Sequence, residues 1–182
     1  MKKYFYFIAA ILISAISLTS CVGDDDSKAE ATLMFQGVLE KVIFNVDSEM
    51  TLIEDPSNES ESESEQAVDT LEYLIDYVTE YFVEQGIIGD GSLITETAKV
   101  DYNNTYAAQL LCYQQAEEKY TAKLAKVSLI EIKRFIYSHH TEELNKRGCN
   151  DYMDVPFESL KVVINYYSAS EIGPINFERI YK

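Results

Sequence analysis

Apolar and polar positions recur with different periods along the chain, and the periods divide it into elements. In residues 67–85, Val68, Leu71, Leu74, Ile75, Val78, Tyr81 and Phe82 repeat at spacings of three and four. Asp69, Glu72, Asp76, Glu80 and Glu84 lie largely on the opposite side. This is the period of an amphipathic helix, and Gly86 supplies its stop. Tyr73, Tyr77 and Tyr81 form an i, i+4 ladder on one flank, the edge of a core or a platform on which sugars could stack. A second helix is predicted over residues 105–126, capped by Asn103 or Asn104. Its expected buried stripe is Tyr106, Leu110, Tyr113, Tyr120, Leu124 and Val127. Ser128-Leu129-Ile130-Glu131 has the form of a capping box. It predicts a third helix reaching Lys146 and closed by Gly148, with Leu129, Ile132, Ile136 and Leu144 on one face. A strand over residues 127–137 is the rival reading of that segment, and the helix is favoured.

Elsewhere the period is two. Leu160, Val162, Ile164 and Tyr166 alternate with Lys161, Val163, Asn165 and Tyr167, which predicts a strand. The sequence "SASEIGP" then turns the chain, and Ile175, Phe177 and Tyr181 share a side on the return. Gly89-Asp90-Gly91 reads as a turn ahead of another strand. Residues 27–50 fit both templates. Phe35, Val38, Leu39, Val42 and Val46 make a helical stripe, whereas Gly37 and the β-branched Val42, Ile43 and Val46 favour strand, and the balance falls to strand. Together these elements predict an α+β fold: a small, mainly antiparallel sheet with two or three helices packed on one face.

Two segments depart from this pattern. Residues 54–66, "EDPSNESESESEQ", hold no apolar residue except Pro56 and are predicted to be a disordered acidic loop. At the start, Lys2 and Lys3 precede an uncharged run over residues 5–18. It is short for a membrane span, which needs about 20 apolar residues, and fits the apolar region of an export signal. Leu18-Thr19-Ser20-Cys21 then resembles the lipobox of bacterial lipoproteins, an aliphatic residue and two small ones before a cysteine. The resemblance implies cleavage before Cys21, acylation of its thiol and amine, and anchoring in a membrane, since two or more acyl chains hold where one does not. Asp24, Asp25 and Asp26 resemble the acidic stretch that follows the lipidated cysteine in surface lipoproteins of Bacteroidota, which implies an outer-membrane location facing the cell exterior. The periplasm-facing alternative treats the aspartates as a spacer. The expected organisation is a signal peptide over 1–20, an acidic tether over 21–30 and one α+β domain over 31–182.

Composition bounds the function more than it names it. The chain of 182 residues carries a formal charge of −16. Residues 21–101 hold 21 acids against 3 bases, and residues 102–182 hold 10 of each. An acidic half with no compensating basic half disfavours nucleic acid. No Gly-x-Ser-x-Gly, Ser-x-x-Lys or glycine-rich phosphate loop is present, and no pattern calls for a cofactor. With 31 acids, carboxylate pairs arise by chance. His139 and His140, the only histidines, stand three residues before Glu142 and Glu143. On a helix each pair could meet one ion, but adjacent histidines point about 100° apart, so a polar helix end is the favoured reading. Asp69-Thr70-Leu71 resembles the O-glycosylation site of Bacteroidota proteins, which implies Thr70 as the acceptor. Cys112 and Cys149 remain as an even pair once Cys21 is lipidated, and in an exported chain they are candidates for a disulfide. The leading reading is a lipid-anchored, non-enzymatic envelope module that binds a protein or glycan partner. The alternative is a small envelope hydrolase or metal-dependent enzyme.

Overall fold

A computed structural model describes residues 28–46, 50–53 and 65–182. The fold is α+β: among the described residues, five antiparallel strands form a sheet with the helices on one face. Strand β1 (Ala29–Val46) is the spine. It forms a hairpin with β2 (Met50–Ile53). Helix α1 (Glu65–Glu84) leads to β3 (Ile94–Val100), and α2 (Thr105–Leu124), α3 (Leu129–His139) and the short α4 (Thr141–Lys146) follow. Strands β4 (Ser159–Ser168) and β5 (Ile175–Tyr181) close the chain. Along one edge of β1 runs β4, with β5 outside it, while β3 pairs with the first third of β1 and β2 with its end.

One β-bulge explains why β1 reads ambiguously. Leu39 pairs with Ile164 and Lys41 with Val163, so Glu40 is the extra residue. A bulge reverses the parity of a strand. Before it, Ala29, Ala31, Leu33 and Phe35 face the core; after it, Val42 and Phe44 do. The parity change turns a period of two into spacings that resemble a helical stripe. The strand also begins at Ala29, two residues inside the segment assigned to the tether.

At Gly37 the core reaches the backbone itself. A Cβ there would stand 2.4 Å from the Ile87 carbonyl oxygen and 2.5 Å from Cε1 of Tyr166. The Tyr166 ring occupies that space and stacks on Tyr120, with centroids 3.2 Å apart. The Gly37 N–H donates to Ser92 Oγ at 2.7 Å, Ser92 Oγ–H donates to the Gly89 carbonyl at 2.7 Å, and Gly89 N–H donates back to the Gly37 carbonyl at 3.0 Å. The turn after α1 is thereby locked onto the middle of β1, satisfying backbone groups that would otherwise be buried without partners.

Helix ends follow their capping residues. Asn104 Oδ1 accepts from Ala107 N–H at 3.1 Å, so Asn104 is the cap of α2. The Ser128–Glu131 capping box forms in both directions and starts α3. After α1, Ile87 N–H donates to the Phe82 carbonyl and Gly86 N–H to the Val83 carbonyl, with Gly86 at φ 62°. That pair of bonds is a Schellman stop.

Four expectations change. Helix α1 starts at Glu65, so residues 65 and 66 belong to it rather than to the acidic loop, whose remaining residues 54–64 lie outside the described ones. The single helix expected over 128–146 breaks at His140 into α3 and α4. Tyr106 and Leu110 are not buried: they are 60% and 39% exposed. The buried face of α2 is Ala108, Cys112, Tyr113, Ala116, Tyr120 and Leu124. The thiol of Cys112 lies at the Ala31 carbonyl of β1, and Ala29 and Ala31 of β1 and Ala98 of β3 are buried too, while Tyr106, Leu110 and Leu111 turn outward. Cys112 and Cys149 do not pair: both are free and buried. Cys112 lies between α2 and the sheet, its thiol 3.4 Å from the carbonyls of Ala31 and Glu96. Cys149 lies past α4 and donates to the Asp154 carbonyl at 3.2 Å. The two thiols belong to different ends of the core, and burial pushes both above the ordinary thiol range.

Candidate functional site

The ends of α1 and α2 and the start of α3 converge on a cleft of about 520 Å³. Each wall has a local cause. The Schellman stop ends α1 after Glu84, leaving Tyr81 and Gln85 at its end and folding Ile87 inward. The freed Gly86 carbonyl accepts from Lys123 Nζ at 2.9 Å, which ties the end of α2 to the end of α1. Lys123 also sits 5.8 Å above the Tyr120 ring. One turn on, Lys126 projects from the end of α2, and Val127 crosses to the α3 cap. From α3, Arg134 and Phe135 complete the lining together with Glu131. The Arg134 guanidinium lies 4.9 Å from the Tyr152 ring.

The electrostatics of this cleft oppose those of the chain. It gathers three cations against one carboxylate in a protein of net charge −16. Several cations elsewhere face carboxylates: Lys99 with Glu30, Lys119 with Glu96, Arg147 with Glu143 and Lys161 with Glu178. Among the described residues, Lys123, Lys126 and Arg134 have no carboxylate within ion-pair distance. Glu131 spends one oxygen on the Ser128 N–H. The floor is aromatic. Tyr81 is 5% exposed and packs edge-on against Phe135, with centroids 5.3 Å apart. Burial, aided by the Glu131 charge, pushes the Tyr81 hydroxyl up to about 12, so it stays protonated at neutral pH and is a hydrogen-bond donor. It has no hydrogen-bond partner among the described residues. The cleft therefore offers cationic donors at the rim, one hydroxyl donor below them and an apolar floor.

The residues singled out in the sequence lie elsewhere. His139 and His140 do not meet Glu142 and Glu143. The helix break at His140 sends both imidazoles back to α1. Nε2 of His140 stands 2.9 Å from Glu80 Oε2, and Nε2 of His139 stands 4.0 Å from Glu84. His140 also stacks on Tyr77 at 3.4 Å between centroids. Glu143 instead pairs with Arg147 and Lys146. Among the described residues no three His, Cys, Asp or Glu side chains gather as a metal set would. The tyrosine ladder is occupied: Arg147 covers Tyr73 at 4.1 Å, His140 covers Tyr77, and Tyr81 is core. Thr70 falls within α1, its side chain outside the described ones. Cys21 and Asp24 to Asp26 also lie outside the described residues.

Sequence reasoning did not find the cleft. Its residues come from three segments, 81–87, 123–127 and 131–135, none of which has a motif. The available signal was the run of bases at Lys119, Lys123, Lys126, Lys133 and Arg134 in a chain otherwise poor in them. No protein family, no curated protein and no solved structure matches the chain.

Proposed function

We propose that this chain is a lipid-anchored protein of the bacterial cell envelope, held in the outer membrane through Cys21, and that its α+β domain is a binding or accessory module. One observation carries the anchor: a charged start, an uncharged run of fourteen residues and Leu18-Thr19-Ser20-Cys21 occur in that order. The fold is compatible with it. The first described strand begins at Ala29, eight residues after Cys21, and among the described residues no helix is long and apolar enough to cross a membrane. The binding reading is supported by the cleft, whose lining supplies charge, a hydroxyl donor and apolar contact for a ligand. Fractionation tests the anchor. The natural chain should sediment with membranes, and Cys21→Ser should move it to the soluble fraction. Equal membrane retention of the two contradicts the proposal. Exposure to the cell exterior is read separately, by external protease on whole cells. Replacing Asp24, Asp25 and Asp26 with alanine should leave the protein in the membrane but reduce its digestion, and unchanged digestion makes the aspartates a spacer.

A further inference from the structure

The cleft at the junction of α1, α2 and α3 combines two independent features. The first is charge. Lys126 and Arg134 are exposed, line the same cleft and have no carboxylate partner among the described residues. In a chain of net charge −16, exposed bases gain from pairing with nearby acids, as Lys99, Lys119, Lys146 and Arg147 do. Two that remain unpaired at one concavity create a local positive potential, which low-dielectric walls focus. The second feature is the Tyr81 hydroxyl. The residue lines the cleft and is only 5% exposed, and its hydroxyl makes no hydrogen bond to a described residue. Such a hydroxyl is free to donate to a ligand in the cleft. The volume, about 520 Å³, lies within the roughly 300–1,000 Å³ range of small-ligand sites.

We infer that the cleft binds a small organic oxyanion, a negatively charged phosphate, sulfate or carboxylate group carried on a flat apolar ring. The oxyanion meets Lys126 and Arg134 at the rim and accepts from the Tyr81 hydroxyl. The ring lies against Val127 and Phe135. The opposite polarity does not fit: a cationic ligand would find only Glu131, already engaged by the Ser128 N–H. A bare inorganic anion would leave the apolar floor uncovered and forgo that part of the binding energy. The inference rests on the binding-module reading but not on the lipid anchor. Anchoring is read by fractionation and ligand binding by calorimetry, so each can fail without the other.

The test is isothermal titration of the purified mature protein with phenyl phosphate, inorganic phosphate and phenol. Phenyl phosphate should bind roughly tenfold or more tightly than either fragment, because only it uses both halves of the cleft. Lys126→Gln and Arg134→Gln should each weaken it about tenfold or more, as expected for loss of one charge-assisted hydrogen bond. The double variant should not bind measurably. Both side chains are exposed, so Lys126→Gln should leave the melting temperature unchanged and Arg134→Gln, which gives up its contact with the Tyr152 ring, should lower it by only a few degrees, which separates lost recognition from lost folding. Higher salt should weaken binding to the natural protein. Three results overturn the inference: phenyl phosphate binding no more tightly than phenol or phosphate, full affinity in the double variant, or no heat at millimolar probe.

Discussion

Replacing Gly37 with alanine adds one methyl group at the point where three elements meet. Its Cβ would stand 2.4 Å from a backbone oxygen, that of Ile87, and 2.5 Å from the Tyr166 ring. Comfortable carbon contacts are about 3.5–4.0 Å, so both neighbours must retreat by roughly 1 Å. Tyr166 cannot swing freely because Tyr120 is stacked on it. Ile87 cannot retreat without loosening the Gly37–Ser92–Gly89 ring of hydrogen bonds. Overpacking a dense core costs about 1–3 kcal/mol, and a backbone clash places this site at the upper end. Against it stands a gain of about 0.4–1 kcal/mol from the stiffer unfolded chain. The net expectation is a loss of about 2–3 kcal/mol, or roughly 5–10 °C in Tm for a domain of this size. Urea unfolding followed by circular dichroism measures it. The control is Gly173→Ala, where an added Cβ meets nothing within 4 Å and stability should be unchanged. Gly37→Ala within about 0.5 kcal/mol of the natural protein, a shift typical of surface sites, would refute the reasoning.

Three further perturbations follow from single features. Ser128→Ala removes the α3 cap and should cost about 1 kcal/mol in the same urea assay; a change of a few tenths would mean the capping box contributes nothing. Burial pushes Tyr81 and Tyr181 up to about 12, from 10 in the unfolded chain. Above pH 10 the unfolded state therefore loses protons that the native state keeps, and stability present in full below pH 10 should fall as pH rises through about 12. Tyr181→Phe should flatten that fall and cost little at neutral pH, because the Tyr181 hydroxyl is buried without a partner among the described residues; an unchanged alkaline profile counts against it. Since Cys112 and Cys149 are free, a reductant should leave Tm unchanged and both thiols should alkylate once the protein unfolds, whereas a lower Tm on reduction would reveal a bond between them.

Much of the fold was legible because long segments keep one period. Leu160, Val162, Ile164 and Tyr166, all buried, alternate without interruption, and Leu74, Val78, Tyr81 and Phe82 hold the helical repeat. Local chemistry was equally plain at Asn104 and Ser128, where one side chain decides a helix start. The failures share a different cause, which is that tertiary packing overrode the local pattern. Glu40 reversed the parity of β1. On α2, the face laid against the sheet runs through Ala108, Cys112, Tyr113, Ala116, Tyr120 and Leu124, and Tyr106 and Leu110 fall outside it. The even cysteine count suggested a bond, but parity of number says nothing about distance, and the two thiols lie on different parts of the core. The cleft was illegible because no segment supplies more than a few of its residues. Lys126 and Arg134 stand out because both line one cleft, and that is a property of the folded chain.

Mass spectrometry of the N-terminal peptide from membrane-extracted protein tests the proposed lipid tether on Cys21. The expected mature chain begins at Cys21 and carries acyl groups on its thiol and amine. A mature chain that begins at another residue, or at Cys21 with no added mass, contradicts it.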